Sequence, residues 1–304
     1  MTPPAGPDAL SWAAATLRGL HPLRWGLALV GIGATVLVAA GLQALWEGQA
    51  PRPADWFGDP LTQAQASWDH LSDRSVVGLV VRLGVVLVIL AAIWAVVGGW
   101  IARHELVARH RGEPYGNAEP VEPGPTRLVA GRLKTLVISA IPILAFCAVL
   151  FIPVALAGLL NRLGGVGAIL VALVLPVVLV ADLLLLLIAI GAVAWPLMPI
   201  TTAAENSDVF DALSRAYNYL YQRPVRFALL MTATLVLAAM PLAAVLFALA
   251  GPVENWRAAA GHPAVWAAAG LSASIFWSVE TLAYLSLRTA VDETDAYEMA
   301  GDGE

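Results

Sequence analysis

The chain has 304 residues, of which 59% are apolar and only 13% charged, and its mean hydropathy is +0.76. Soluble proteins carry about 25% charged residues, so this chain has too little charge to cover a soluble domain and too many apolar residues to stay disordered. Its 17 basic against 22 acidic residues give a net charge of −5, which excludes the basic field that nucleic-acid binding needs. The class left is an all-α, multi-pass transmembrane helical bundle.

In chain order, residues 1–24 form a cytoplasmic N-terminal segment whose stretch Leu10–Leu20 is partly amphipathic. A helix rising ~1.5 Å per residue needs about 20 apolar residues to cross a bilayer core. Six segments meet that length: 25–46, 75–102, 135–160, 166–195, 227–250 and 265–287. Runs such as Val85-Val86-Leu87-Val88-Ile89-Leu90 do not alternate polar and apolar residues, so the spans are helices rather than barrel strands. The first span reads as retained rather than cleaved. Its apolar core is longer than that of a signal peptide, and Pro51 and Pro53 follow it instead of a small-residue cleavage site. Residues 25–288 thus form a six-helix transmembrane domain, and 289–304 an acidic cytoplasmic tail. Six acids (Asp292, Glu293, Asp295, Glu298, Asp302 and Glu304) crowd this end of the chain and account for its acidic balance.

Orientation follows from the placement of Lys and Arg. Six spans put both termini on one side. That side carries Arg18, Arg24, the six basic residues from Arg103 to Lys134, then Arg215, Arg223, Arg226 and Arg288; the other carries Arg52, Arg74, Arg162 and Arg257. The basic side is the cytoplasm, and the membrane a bacterial inner membrane. Trp25, Trp46, Trp100, Trp195 and Trp266 lie near span ends, where indoles favour the interface.

Each odd-numbered span is preceded by a short, partly amphipathic stretch: Leu10–Leu20, Thr126–Lys134 and Asp208–Tyr221. These read as interfacial elbow helices, each feeding a two-helix hairpin. In the last, Phe210, Leu213, Tyr217, Leu220 and Tyr221 recur on one face, Asp211 and Arg215 form an i,i+4 pair, and Asn206 or Ser207 is placed to cap the start.

Three ionisable residues fall inside spans: Arg82, Asp182 and Glu280. Such groups are costly in a bilayer and face a partner or a cavity. Counted from the outer span ends, Asp182 and Glu280 share a depth in the inner half, with Arg82 nearer the outer face. One reading makes the two acids the lining of a cation or proton path with Arg82 as counter-charge. The other makes them buried hydrogen-bonding groups, with Arg82 extending to the outer interface. Pro142, Pro153, Pro176 and Pro241 fall inside spans and permit kinks. No catalytic residue, cofactor site or metal site is expected. His104-Glu105 lacks the second histidine of a zinc motif, and the single lysine, Lys134, is in no phosphate-binding loop. Cys147 is the only cysteine and lies within a span. The candidate cytoplasmic interface is Arg103, Asp211, Arg215, Arg223 and Arg288, with anionic lipid headgroups or another membrane protein as partner.

Three motifs carry a resemblance: Gly98-Gly99-x-Ile101-Ala102-Arg103; Asp211-Ala-Leu-Ser-Arg215 with Tyr219-x-Tyr221-x-Arg223-Pro224; and Tyr284-Leu-Ser-Leu-Arg288-x-Ala290-Val291-Asp292. With these the chain resembles a group of uncharacterised bacterial six-helix membrane proteins. More distantly, it is similar to the membrane domain attached to some glycerophosphodiester phosphodiesterases. The resemblance implies a helical bundle with elbow helices and no catalytic residue. The expected role is a non-enzymatic assembly, scaffold or membrane-organising component; the alternative is a transporter or permease subunit using Asp182 and Glu280.

Overall fold

The computed structural model describes residues 9–47, 76–110, 124–249 and 262–292. Residues 1–8, 48–75, 111–123, 250–261 and 293–304, the last holding most of the expected acidic tail, lie outside these. The helices are α1 (Ala9–Gly19), α2 (Pro22–Glu47), α3 (Val76–His110), α4 (Pro125–Gly131), α5 (Leu133–Val137), α6 (Ile141–Leu160), α7 (Gly165–Gly191), α8 (Leu197–Glu205), α9 (Val209–Gln222), α10 (Pro224–Leu249) and α11 (Pro263–Asp292). Six stretches, built on α2, α3, α6, α7, α10 and α11, are long and apolar enough to cross a membrane. The protein is an all-α, multi-pass membrane bundle, with no strand among the described residues.

Proline opens several of these helices. Pro22, Pro125, Pro224 and Pro263 are first residues, where the missing N–H has no intrahelical role and the fixed φ suits the helix. Pro142 belongs with them. It lies inside the spanning stretch Leu133–Leu163, as expected, but in the first turn of α6, where it removes no helix hydrogen bond. Pro153, Pro176 and Pro241 are truly internal. The link from α6 to α7 turns on Gly164, whose φ of 68° disfavours any side chain.

α11 is the central strut. It packs along α10 and also meets α1, α2 and α3. Within the stretch around α11, 56% of residues are buried; the figure is 11% around α7. The α6–α7 hairpin packs mainly on itself. Most of the core lies at one end of the bundle, where Ile101, Leu197, Met198, Ile200, Tyr219 and Tyr284 are fully enclosed. The short helix α8 is buried from Leu197 through Ala204 and wedges between α3 and α9.

The three elbow stretches are separate helices, as α1, α4 with α5, and α9. α9 turns inward a face that overlaps the expected stripe only in part: Leu220 is buried and Leu213 and Tyr217 pack on the core. Val209, Ala212, Ala216, Tyr219 and Leu220 are buried, while Phe210 and Tyr221 are exposed. Small Ala212 and Ala216 allow close backbone approach, which bulky residues would block. The bulky flank instead meets the end of α7, where Tyr217 donates to the Ile188 carbonyl at 2.9 Å and Tyr221 to that of Leu187. The cap also differs. Asp208 accepts from the N–H groups of Phe210 and Asp211, both at 2.9 Å. Asn206 instead closes α8 in a left-handed conformation and accepts from Arg132.

Candidate functional site

The three ionisable residues expected inside spans stand on three different helices, and Arg82 lies just ahead of the apolar stretch Gly84–Arg109. Arg82 is half-buried near the start of α3, and Asp182 is exposed on the hairpin helix α7. Glu280 is buried on α11 beside Thr234 of α10. Its carboxyl and the Thr234 hydroxyl face one another, and neither Glu280 Oε2 nor that hydroxyl meets another hydrogen-bonding group among the described residues. The acids look equivalent in sequence, but one faces outward and the other lies inside a helix contact.

Charge concentrates instead at one end of the bundle, in two networks. The first is centred on Glu105, whose side chain is fully buried. Arg18 Nε donates to its Oε1 at 2.8 Å and Arg109 Nε to the same oxygen at 2.7 Å. Arg24 Nη1 donates to Oε2 and also to the Arg18 carbonyl at 3.2 Å and Ser278 Oγ at 3.1 Å. Arg24 Nε donates to His104 Nδ1 at 3.0 Å. One carboxylate thus gathers three guanidiniums from α1, α2 and α3, and Ser278 ties the group to α11. Glu280 lies two residues beyond Ser278, roughly 3 Å along the axis. It is therefore level with this network rather than isolated in the apolar slab.

The second network is centred on Glu205, the last residue of α8. Tyr284 donates to its Oε1, Arg288 Nε lies 3.4 Å from the same oxygen, and Arg215 pairs with Oε2. Arg215 also reaches Asp211 at 3.3 Å and Asp292 at 3.9 Å, and Tyr219 donates to Asp292 at 2.6 Å. Burial works against the charge of Arg215, but Glu205 and Asp211 outweigh it and hold the guanidinium protonated well above its ordinary range. Burial and the bond to Asp292 push the Tyr219 phenol up, so it stays a donor. α8, α9 and the end of α11 are bolted together here.

The residues expected at a cytoplasmic interface divide accordingly. Arg103 is buried and donates to the Ala203 carbonyl at 3.2 Å. Arg288 is buried against Glu205. Both are interior because α8 packs over them. Arg215 is partly exposed but committed to the carboxylates around it, Asp211 is its exposed partner, and Arg223 is exposed at the end of α9. Asp292 is the last residue of α11 and works in the network rather than in the tail.

The two hub carboxylates, Glu105 and Glu205, were not singled out in sequence. A signal for Glu205 existed: Arg215, Tyr219, Tyr284, Arg288 and Asp292 all belong to the quoted motifs, and all converge on it or its neighbours. Among the described residues no group of three His, Cys, Asp or Glu side chains is arranged to hold a metal. Comparison with protein-family models, curated proteins and solved structures gives no match.

Proposed function

We propose that the protein is a non-enzymatic assembly, scaffold or membrane-organising component of a bacterial inner membrane, with both termini in the cytoplasm. The observation that carries this reading is the division of the bundle. A polar-cross-linked core leaves the α6–α7 hairpin with apolar faces that none of the described residues covers, including Phe151 at 46% and Leu173 at 72% exposure. Lipid covers such faces, but Asp182, exposed on the same hairpin, is a polar group that a helix of another membrane protein or a second copy would satisfy and lipid would not. The concentration of arginines at the networked end supports the orientation.

The test is a photo-crosslinking residue placed at Phe151, Leu173 or, as control, Leu37 of α2, in native membranes. Discrete protein adducts from the hairpin positions and not from Leu37 are expected. Lipid adducts alone from every position would sink the scaffold reading.

A second reading, a transporter or permease subunit, is favoured by Glu280, whose carboxyl is buried against the Thr234 hydroxyl with no charged partner among the described residues. Proton- or cation-driven flux in proteoliposomes that disappears in Glu280→Gln would support it. Flux absent from the unmodified protein would remove it.

A further inference from the structure

Where the hairpin base meets the core, a cleft of about 540 Å³ opens on one side between α3, α6, α11 and the turn after α7. Its walls are apolar, with Trp94, Trp195, Phe276 and Trp277 as the large surfaces and Ala91 and Ala273 between them. Trp277 immediately precedes Ser278, the α11 ligand of Arg24. The cleft therefore occupies the half of the apolar slab next to the charged end.

The walls are fixed in place. Trp195 donates to Ser139 Oγ at 3.2 Å and meets Trp277 edge-on, with ring centroids 6.3 Å apart. Phe276 packs against Trp277 at 5.3 Å and 85°. Trp277 in turn lies on Gly98, where an added Cβ would come within 2.6 Å of the indole. The indole rests against backbone, so the cleft is pre-formed rather than a gap awaiting collapse.

Position and chemistry select the occupant. The size lies within the ~300–1,000 Å³ usual for ligand pockets. The apolar walls suit a hydrocarbon chain and not a water-soluble metabolite. Beyond the cleft toward the charged end, α4 and α5 pack beside α3 and present exposed Arg127 and Lys134. Lys134 precedes Ala140, a cleft residue, by six positions, at most roughly 9 Å of helical rise.

We infer that this cleft seats one acyl chain of an anionic phospholipid taken from the adjoining leaflet, with its headgroup phosphate held by Lys134. This goes beyond the scaffold reading and does not depend on any hairpin partner. The lipid fills the wedge between hairpin and core and sets how the two stand together.

Native mass spectrometry of the full chain, exchanged into an equal mixture of phosphatidylglycerol and phosphatidylethanolamine with matched chains, tests this. One retained phosphatidylglycerol per chain is expected. Ala273→Trp, which fills the cleft from α11, abolishes retention. Ala91→Phe does the same from α3 and serves if the first variant does not fold, with helix content by circular dichroism as the check. Lys134→Glu keeps a chain seated but lowers the preference for phosphatidylglycerol about fivefold or more, the effect of one basic residue at a charged surface. The inference is overturned by no retained lipid, by equal retention of phosphatidylethanolamine, or by unchanged retention in both cleft-filling variants.

Discussion

α7 and α11 have similar lengths, 27 and 30 residues, and each carries a single acid within its expected span, yet their surroundings are opposite. α7 is apolar on every side, exposes Leu173, Val177, Val180 and Leu184, and holds Asp182 outward. α11 is less apolar and mostly enclosed, and its Ser274, Ser278 and Tyr284 bond to Gly19, Arg24 and Glu205 on other helices. The more apolar span is thus the less buried one. In a bilayer, apolar surface needs no protein partner because lipid already surrounds it. The polar groups of α11 do need partners, and they decide which helix becomes the centre.

The sharpest way to break this contrast is Glu105→Ala. It leaves the guanidiniums of Arg24 and Arg109 enclosed without their carboxylate, and destabilisation of about 3–5 kcal/mol is expected. Thermal unfolding in detergent reads it; an unchanged midpoint would mean that the core does not rest on its charge networks.

A smaller effect is expected at the seam between the two regions. Tyr217→Phe removes the hydroxyl bond to Ile188 and should cost about 0.5–1.5 kcal/mol. Burial, with Tyr221 and Cys147 nearby, pushes Tyr217 up from 10.0 to about 12. The folded protein therefore keeps this proton more tightly than the unfolded chain. The contribution is complete below pH 10 and is lost as pH rises through about 12. Unfolding midpoints across that window should fall in the parent and fall less in Tyr217→Phe; parallel curves would remove Tyr217 from the seam.

The smallest effect belongs to the hairpin surface. Leu173→Ala, at a 72% exposed position, should shift stability by no more than about 0.5 kcal/mol in detergent. A loss on the scale of a core leucine would show that α7 is covered by protein under those conditions.

The sequence yields the spans because bilayer thickness imposes a length that a run of apolar residues reports directly. It also yields the Asp211–Arg215 pair, since four residues is one helical turn. It does not yield the hubs. Arg24 meets Glu105 across 81 residues and Tyr284 meets Glu205 across 79, and no local window holds both partners. Asp182 and Glu280 are alike in sequence because each is one acid in an apolar run. Ser274, Ser278 and Thr281, spaced along one face of α11, are the readable difference, since small polar residues mark helix contacts in membranes. α9 misleads for a related reason: its large residues define the visible apolar stripe, while its small ones make the closest contacts.

α11 is the least apolar of the six spanning stretches and follows the other five along the chain. Serine, glutamate and arginine side chains insert poorly into bare lipid. By the time a ribosome delivers α11, its partners Gly19, Arg24 and Glu205 have already emerged. The order of synthesis thus supplies a prepared polar groove, and membrane insertion of this helix becomes an act of docking onto protein. A chain with α11 moved ahead of α2 would present the same residues to the translocon with nothing yet made to receive them.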